Sequence, residues 1–274
     1  MKLFEINGRG ILLIGCGKMG SALLGGWLNQ GLEADDITVI EPNPSKWLVS
    51  QKINLNKIIP EKPSIVIIAV KPQLMSKAVP NLKTLGNSDT LFISIAAGTS
   101  ISYFEKTLGD KTPIIRVMPN TPAAIGKGIT AVVGNKYANN HYMEQADLLL
   151  SAVGKTVRLE SESQIDTVTA VSGSGPAYVF HLIEALAAAG VTNGLSPELS
   201  MVLAKATVVG AGYLAEASDE SPENLRINVT SPGGTTQAAL AILMDNKNGF
   251  FDLLERAVFA ASQRSKELGA LDND

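Results

Sequence analysis

The segment Ile11-Leu-Leu-Ile-Gly15-Cys-Gly17-Lys-Met-Gly20 decides the fold that we predict for this chain. Its opening apolar run is typical of a strand that is buried on both faces of a parallel sheet. A Gly-x-Gly-x-x-Gly turn follows at once and leads into a helical stretch, Ser21 to Gln30, which ends before Gly31. In such a unit the first glycine makes the turn, the second lets a pyrophosphate approach the backbone, and the third lets helix and strand pack closely. The pattern predicts a dinucleotide-binding unit.

An acidic residue supports this prediction. Glu41 closes the next predicted strand, Ile37 to Glu41, about 20 residues after the last glycine of the turn, where a carboxylate can bind the adenosine ribose. The predicted cofactor is NADH or NADPH, and Glu41 favours NADH because a carboxylate repels the 2′-phosphate of NADPH. We interpret the Cys16 side chain as a small filler rather than a nucleophile. The residues of the turn that we expect at the cofactor are Gly15, Cys16, Gly17, Lys18, Met19 and Gly20.

Further predicted strands follow at the spacing of a sheet with helical crossovers. Ligands of doubly wound sheets lie across the carboxyl ends of the strands, so we expect the loops Lys71-Pro72, Ala97-Gly98-Thr99 and Pro119-Asn120-Thr121-Pro122 to line the cofactor site. The Asn120 amide is predicted at the nicotinamide end. Each of these two side chains has an alternative interpretation. Lys71 could be a solvated charge at the end of a strand, and Asn120 could be an ordinary turn residue. The predicted strands are Ile65 to Val70, Leu91 to Ala96, Ile114 to Met118, Ile129 to Val133 and Lys155 to Leu159, with a helix from Ala138 to Val153.

From about Glu162 the strand signals stop, and the chain becomes helix-forming and rich in alanine. The sequence therefore predicts an α/β Rossmann-type parallel-sheet domain over residues 1–161 and an all-α helical domain over residues 162–274. The helices predicted at Pro176 to Ala189 and Pro197 to Ala217 have no obvious polar face. Helices of this kind must be buried, and a small domain can hide few of them. We therefore predict an interlocked homodimer.

The segment Asn228-Val-Thr-Ser-Pro-Gly-Gly-Thr-Thr236 is the predicted substrate site. Its proline and glycines fix an unusual turn just before a helical run, and the free N–H groups of a helix start attract an anion such as a carboxylate. Hydroxyl groups add neutral donors. The alternative is a capped helix start with no further role. The residues predicted to bind substrate are Ser231, Gly233, Gly234, Thr235 and Thr236.

The composition argues against several classes of function. The chain has 274 residues, of which 45% are apolar, and a formal charge of −3, so it has no basic field for nucleic acid. The continuous apolar runs are too short for a membrane span, and the first residues lack a signal peptide core, so we expect a cytoplasmic protein with no membrane partner. The single cysteine and the isolated His141 and His181 predict no metal site.

Several motifs in this order resemble the pyrroline-5-carboxylate reductase family. They are the glycine turn, Ala69-Val-Lys-Pro72, Ser94-Ile-Ala-Ala-Gly98, Arg116-Val-Met-Pro-Asn-Thr-Pro122, Val171-Ser-Gly-Ser-Gly-Pro-Ala-Tyr178 and Val229-Thr-Ser-Pro-Gly-Gly-Thr-Thr236. The resemblance implies a Rossmann domain joined to a helical dimerisation domain, with dimers that assemble into larger rings. It also implies hydride transfer from NAD(P)H to 1-pyrroline-5-carboxylate, which gives L-proline in the last step of proline synthesis.

The resemblance further implies roles for single residues. Cofactor contacts are implied at Ala69, Val70, Lys71, Pro72, Ala96, Ala97, Gly98 and Asn228, and substrate contacts at Thr235 and Thr236. Thr236 is the implied catalytic residue, with its hydroxyl near the ring nitrogen. Two departures are visible: the chain looks short between Glu41 and Ile65, and many relatives carry a small polar or basic residue in place of Glu41.

Two other functions remain open from the sequence. One is reduction of another cyclic imine or of a 3-hydroxy acid precursor by an enzyme of the same architecture. The 3-hydroxy acid enzymes generally use a lysine on the first helix of the second domain, and the helix predicted at Pro176 to Ala189 contains none. The other is a nucleotide-sensing module without catalysis, which would not need the hydroxyl cluster at Ser231 to Thr236.

Overall fold

The structure, a computed structural model, describes residues 9–271. The segment 1–8, on which the prediction of no signal peptide rests, lies outside the described residues. Contacts divide the chain into two compact units. One extends through Gly173 and includes the chain from Ala261 onward, and the other is Ser174–Ala260. The domain boundary predicted from the sequence, between residues 161 and 162, lies a little earlier in the chain.

The first unit is built on a parallel-dominated sheet, which confirms the predicted Rossmann-type fold. The strands are β1 Ile11–Ile14, β2 Ile37–Ile40, β3 Asn54–Leu55, β4 Ile65–Ile68, β5 Leu91–Ser94, β6 Ile114–Met118, β7 Gly128–Gly134 and β8 Gly154–Arg158. Their order in the sheet is β3-β2-β1-β4-β5-β6-β7-β8, and of these neighbours only β6 and β7 are antiparallel.

Helices cover both faces of this sheet because the central strands are apolar on both sides. In β1, Ile11 and Leu13 pack in one core, with Trp27, while Leu12 and Ile14 pack in the other, with Phe104. The indole N–H of Trp27 donates to the Leu149 carbonyl at 2.9 Å and so joins the first helix to the fifth. The helices are α1 Lys18–Asn29, α2 Lys46–Ser50, α3 Met75–Ala78, α4 Ile101–Leu108, α5 Asn140–Ser151 and α6 Ile165–Val168.

The antiparallel strand β7 departs from an all-parallel sheet. Its connection to β6 is the loop 119–127, which is shorter than the dozen or more residues that a parallel crossover requires. The loop forms a 3-10 turn, Thr121–Ile125, and reverses at Gly126, whose φ is +70°. A hairpin-like return is therefore the connection that this loop permits.

Strand β1 lies between β2 and β4, with residue Ile11 opposite both Ile37 and Ile65. The chain leaves β1 for helix α1 on the way to β2, and later returns to the other side of β1 through β4. This reversal of strand order opens a crevice at the carboxyl ends of β1 and β4, where doubly wound sheets bind ligands.

The second unit is helical, as predicted. It contains α7 Gly175–Thr192, α8 Pro197–Ala217, α9 Pro222–Asn228, α10 Thr235–Leu243 and the first part of α11 Phe250–Leu271. Ser196 and Ser221 cap α8 and α9 by accepting the N–H groups of Leu199 and Asn224. Helices α7 and α8 approach closely at Gly190, where an added Cβ would lie 2.8 Å from the Ser200 hydroxyl.

Large apolar side chains are exposed on the helices of this unit. Phe180, Val209 and Phe251 have 58%, 53% and 80% of their surface accessible in the single chain. Among the described residues, α8 is also the one helix that length and composition would allow to cross a membrane. Only Ser200 and Ala204 of α8 are buried by the part of the chain that the structure describes, so most of the surface of this apolar helix is exposed.

Candidate active site

The glycine turn between β1 and α1 has the geometry that close backbone packing demands. Gly15 has φ of +88°, and a Cβ there would lie 2.8 Å from the Ala69 carbonyl oxygen. A Cβ on Gly20 would lie 2.7 Å from the Gly15 carbonyl oxygen, so this glycine lets α1 pack against the turn. A Cβ on Gly17 would meet nothing within 4 Å. The space above Gly17 is thus open for a ligand.

Helix α1 begins earlier than the sequence suggested, at Lys18, with Gly17 as its N-cap. Among the described residues, this helix start has no side-chain cap. The N–H groups of a helix start and the positive end of the helix dipole are the usual receptor of a pyrophosphate. Lys18 is exposed, and Met19 is partly buried in the core.

Glu41 lies directly at this turn. Its carboxylate accepts the Cys16 N–H at 2.8 Å through Oε2 and the Asn43 N–H at 2.9 Å through Oε1. Each carboxylate oxygen can accept a further hydrogen bond, so the anchored group can still receive ribose hydroxyls. The side chain that the sequence predicted to bind ribose is therefore held beside the helix start.

Cys16 fills a small space behind the turn. Burial raises the pKa of its thiol above the ordinary value, the hydrogen bond with Ser21 acts in the opposite direction, and the charge of Glu41 raises it further. The raised pKa keeps the thiol protonated at neutral pH, so Cys16 is a poor nucleophile.

The loops after β4 and β5 lie at the same end of the sheet. After β4, the Ala69 N–H donates to the Ile14 carbonyl at 2.8 Å, Val70 and Pro72 are half-buried, and Lys71 is exposed. After β5, Ala96 and Gly98 are buried and Ala97 is exposed, and Gly98 has φ of +80°. The buried Thr99 hydroxyl has no hydrogen-bond partner among the described residues. Such an atom is expected where a loop awaits a ligand or water.

The side-chain amide of Asn120 hydrogen-bonds to backbone groups of the first unit. Its Oδ1 accepts the Ile129 N–H at 2.9 Å, and its Nδ2 donates to the Ser172 carbonyl at 3.1 Å. Ser172 belongs to a short π-helix, Thr169–Gly173, of the kind often found near functional sites. The predicted contact with nicotinamide stays a prediction, and it would use the second N–H of the amide.

An ion pair between a buried arginine and a partly buried glutamate was not anticipated from the sequence. Arg116 on β6 donates to Glu162 Oε1 at 2.7 Å, and the same oxygen accepts the Ile101 N–H at 2.8 Å. The pair ties the start of α4, just after the Gly98 loop, to the chain beyond β8. An arginine inside the apolar strand Ile114–Met118 was the available signal, because a buried charge needs a partner.

In the second unit, the predicted substrate segment forms the entrance of α10. The helix begins at Thr235, one residue earlier than predicted, with Gly234 as N-cap and no side-chain cap. Gly233 has φ of +72°, and its N–H donates to Gln237 Oε1 at 2.6 Å. Thr235 is exposed and Thr236 is half-buried, while Ser231 is exposed in the turn that precedes them.

Asn228, the last residue of α9, donates through Nδ2 to Glu220 at 2.8 Å and is exposed. Helix α7 contains no lysine. Within residues 9–271 no group of three or more histidine, cysteine or acidic side chains is arranged to hold a metal ion.

These features together define a Rossmann-type dinucleotide-dependent oxidoreductase with a helical second domain. Residues 162–268 match the family model described as pyrroline-5-carboxylate reductase dimerisation, and residues 10–98 match the model described as NADP oxidoreductase, coenzyme F420-dependent. The chain belongs to the pyrroline-5-carboxylate reductase family.

Individual relatives cover nearly the whole chain. The pyrroline-5-carboxylate reductase of Pseudomonas aeruginosa is 40% identical over 264 residues, which cover 94% of this chain and 96% of that protein. The structure of a pyrroline-5-carboxylate reductase from Coxiella burnetii has a TM-score of 0.89 at 33% identity and covers 96% of this chain and 99% of its own. The Plasmodium falciparum enzyme with NADP bound has a TM-score of 0.83 at 33% identity and covers 95% and 98%.

Proposed function

We propose that this protein reduces 1-pyrroline-5-carboxylate to L-proline with NAD(P)H, in the last step of proline biosynthesis. The observation that carries the proposal is the entrance of α10, where an uncapped helix start bears two threonine hydroxyls next to Gly233 and Gly234. The segment 229–236 contains no ionisable side chain. It suits a substrate that has a carboxylate to bind and an imine that needs little acid catalysis.

The reaction divides between the two units. A nicotinamide dinucleotide, when bound, supplies the hydride. The N–H groups of the α1 start receive its pyrophosphate, and Glu41 receives its ribose. The N–H groups around Gly234 and Thr235 hold the substrate carboxylate, and the Thr236 hydroxyl orients the protonated ring nitrogen by accepting its N–H. The imine is protonated in solution, so no strong general acid is required.

The assignment of residues follows from this division. We propose 1–161 as the dinucleotide-binding domain and 162–274 as the dimerisation and substrate-binding domain. Cofactor contacts are proposed at the glycine turn, at the loops after β4 and β5, at Asn120 and at Asn228. The substrate contacts are those predicted at Ser231, Gly233, Gly234, Thr235 and Thr236.

A spectrophotometric assay tests the reaction. With 1-pyrroline-5-carboxylate, the absorbance of NADH or NADPH should fall and proline should accumulate. Turnover of an acyclic 2-oxo or 3-oxo acid without turnover of this imine would favour the 3-hydroxy acid alternative. Binding of NADH without turnover of any imine would favour a nucleotide sensor.

We also propose that NADH is preferred over NADPH. The carboxylate of Glu41 is fixed at the Cys16 N–H, so the 2′-phosphate of NADPH would meet a carboxylate that cannot easily move away. Two unit charges ~4 Å apart at an effective dielectric of ~20 interact by roughly 4 kcal/mol, which is an upper range for this partly solvated pair. NADPH is therefore accepted more weakly.

The substitution Glu41→Ser tests this preference. It removes the repelling charge and leaves a small polar side chain, so the ratio of kcat/KM for NADH to that for NADPH should fall. The ratio is measured for the natural protein and the variant with the same imine. A natural protein that prefers NADPH, or a ratio that Glu41→Ser leaves unchanged, would contradict the preference.

The dimerisation match supports a homo-oligomer. We propose a homodimer as its basic unit, with rings of dimers as the larger assembly. We also propose a cytoplasmic protein whose partners are its own copies and the small-molecule substrate, without nucleic acid or membrane. On this proposal the apolar surface of α8 is covered by another copy rather than by lipid.

A further inference from the structure

The side chain of Asn56 hydrogen-bonds to both the N–H and the carbonyl of Glu41. Its Oδ1 accepts the Glu41 N–H at 2.8 Å, and its Nδ2 donates to the Glu41 carbonyl at 2.9 Å. A carboxamide offers one acceptor group and one donor group, as a peptide unit does. Asn56 therefore pairs with Glu41 as a neighbouring strand would.

The short strand β3 explains why a side chain takes this place. Backbone pairing joins Val39 to Leu55, and the Asn56 N–H still donates to the Val39 carbonyl at 2.8 Å. Asn56 then has φ of +50°, so the chain turns away before its backbone can reach Glu41. Asparagine is one of the residues that tolerate this left-handed conformation. The main chain ends the pairing, and the side chain continues it for one more residue.

These two hydrogen bonds determine where the carboxylate of Glu41 can lie. With the peptide groups on both sides of its Cα held, the side chain starts from a fixed position at the end of β2 and reaches the Cys16 N–H. Released from Asn56, Glu41 would begin a loop that continues to α2 at Lys46. A carboxylate on a freed backbone would spend less time at the turn.

We propose that Asn56 is a positioning residue for dinucleotide binding and selectivity, which acts by holding Glu41 at the glycine turn. The inference rests on the proposed role of Glu41 at the ribose. Asn56 lies outside the glycine turn, 15 positions beyond Glu41. It would nevertheless contribute to the selectivity between NADH and NADPH.

The variant Asn56→Gly removes both hydrogen bonds to the Glu41 backbone and keeps a residue that accepts φ of +50°. Asn87→Gly is the matched control. Asn87 also has φ of +50°, and its Oδ1 accepts the Lys111 N–H at 2.9 Å, but it precedes β5 and so lies at the amino ends of the strands. Both variants lose an amide that supports a loop, and only one loop contains Glu41.

The experiment is a double-mutant cycle on dinucleotide binding, without imine. The Kd values of NADH and NADPH are measured by fluorescence titration for the natural protein, Asn56→Gly, Glu41→Ser, the double variant and Asn87→Gly. Asn56→Gly should raise the Kd of NADH about tenfold, as expected for the loss of one or two net hydrogen bonds, and raise that of NADPH less. In the Glu41→Ser background, the same change should shift either Kd by less than about twofold. Asn87→Gly should leave both Kd values unchanged.

Coupling between the two positions decides the inference. If Asn56→Gly leaves the Kd of NADH unchanged, or weakens binding equally with and without Glu41, Asn56 does not act through Glu41. Because the titrations need no turnover, this result is independent of whether the imine is the substrate. A natural protein that binds NADPH more tightly would overturn the NADH preference alone, and the coupling would still decide the role of Asn56.

Discussion

At the scale of single residues, Thr236 carries the most specific expectation. Its hydroxyl is the proposed partner of the ring nitrogen, at a helix entrance whose N-cap residue, Gly234, supplies no side-chain cap. Thr236→Ala should lower kcat by a factor on the order of 10²–10³, as the loss of one preorganised hydrogen-bond partner of the reacting group typically does. The Kd of NADH should stay unchanged, because the glycine turn is untouched.

Thr107→Ala provides the control for that change. Thr107 is also a half-buried helical threonine, and its hydroxyl donates to the Tyr103 carbonyl at 2.9 Å within the sheet unit. It should keep the kcat of the natural protein. Steady-state rates with saturating imine distinguish the two variants, and full activity in Thr236→Ala would remove this hydroxyl from the mechanism.

Residues with a local motif could be predicted from the sequence, and residues that act through distant partners could not. Glu41 follows from its spacing after the glycine turn, and the structure places its carboxylate at that turn. Asn56 has no such signal, because its role depends on a left-handed backbone and on a strand that ends after two residues. Glu162, the partner of Arg116, lies 46 positions away, and no local sequence pattern predicts the pair.

At the scale of elements, the glycine turn separates packing from binding. A Cβ on Gly20 would press on the Gly15 carbonyl, whereas a Cβ on Gly17 would enter open space. Gly20→Ala should therefore destabilise the fold by about 1–3 kcal/mol, as overpacking does. Gly17→Ala should leave the melting temperature unchanged and raise the Kd of NADH, because its methyl group occupies the approach of the pyrophosphate.

Thermal unfolding and NADH titration of both variants measure the two effects separately. Each variant serves as the control for the other, since both add one methyl group to the same turn. Unaltered NADH binding in Gly17→Ala would mean that the pyrophosphate does not pass over this residue. A Gly20→Ala protein as stable as the natural one would mean that α1 can shift without cost.

The elements that are fixed by their own residues were predicted well. The predicted strands correspond to β1, β2 and β4 to β8, with ends shifted by a residue or two. The central strands could be predicted because continuous apolar runs need burial on both faces, whereas β8 is polar and mostly exposed. Strand β3 and helix α2 were not predicted, since two and five residues give too little periodicity to read. The antiparallel direction of β7 follows from the length of its loop rather than from its own sequence.

At the scale of the whole molecule, the second unit shows why one chain is an incomplete description. Helix α8 faces α7 with Ser200, Leu203 and Ala204, which border a groove of about 400 Å³ between the two helices. A different face carries an apolar stripe at helical spacing. Its exposed members are Val202, Val209 and Tyr213, with 63%, 53% and 57% of their surface accessible. The sequence indicated a buried helix, but periodicity could not say which face another copy would cover, since both faces are apolar.

The last prediction concerns assembly through this stripe. Val209→Asp places a charge at its centre, and an unpaired carboxylate in an apolar interface is unfavourable. We expect the variant to sediment as a monomer at micromolar concentration and to lose imine reduction, while it still binds NADH through its intact sheet unit. Val49→Asp on α2 is the control, since Val49 is a valine of similar exposure, 59%, on the sheet unit, and this variant should sediment like the natural protein. Two results would contradict this prediction. The natural protein could be an active monomer at this concentration, or Val209→Asp could sediment at the same rate as the natural protein. In either case the stripe is not the surface through which the copies associate.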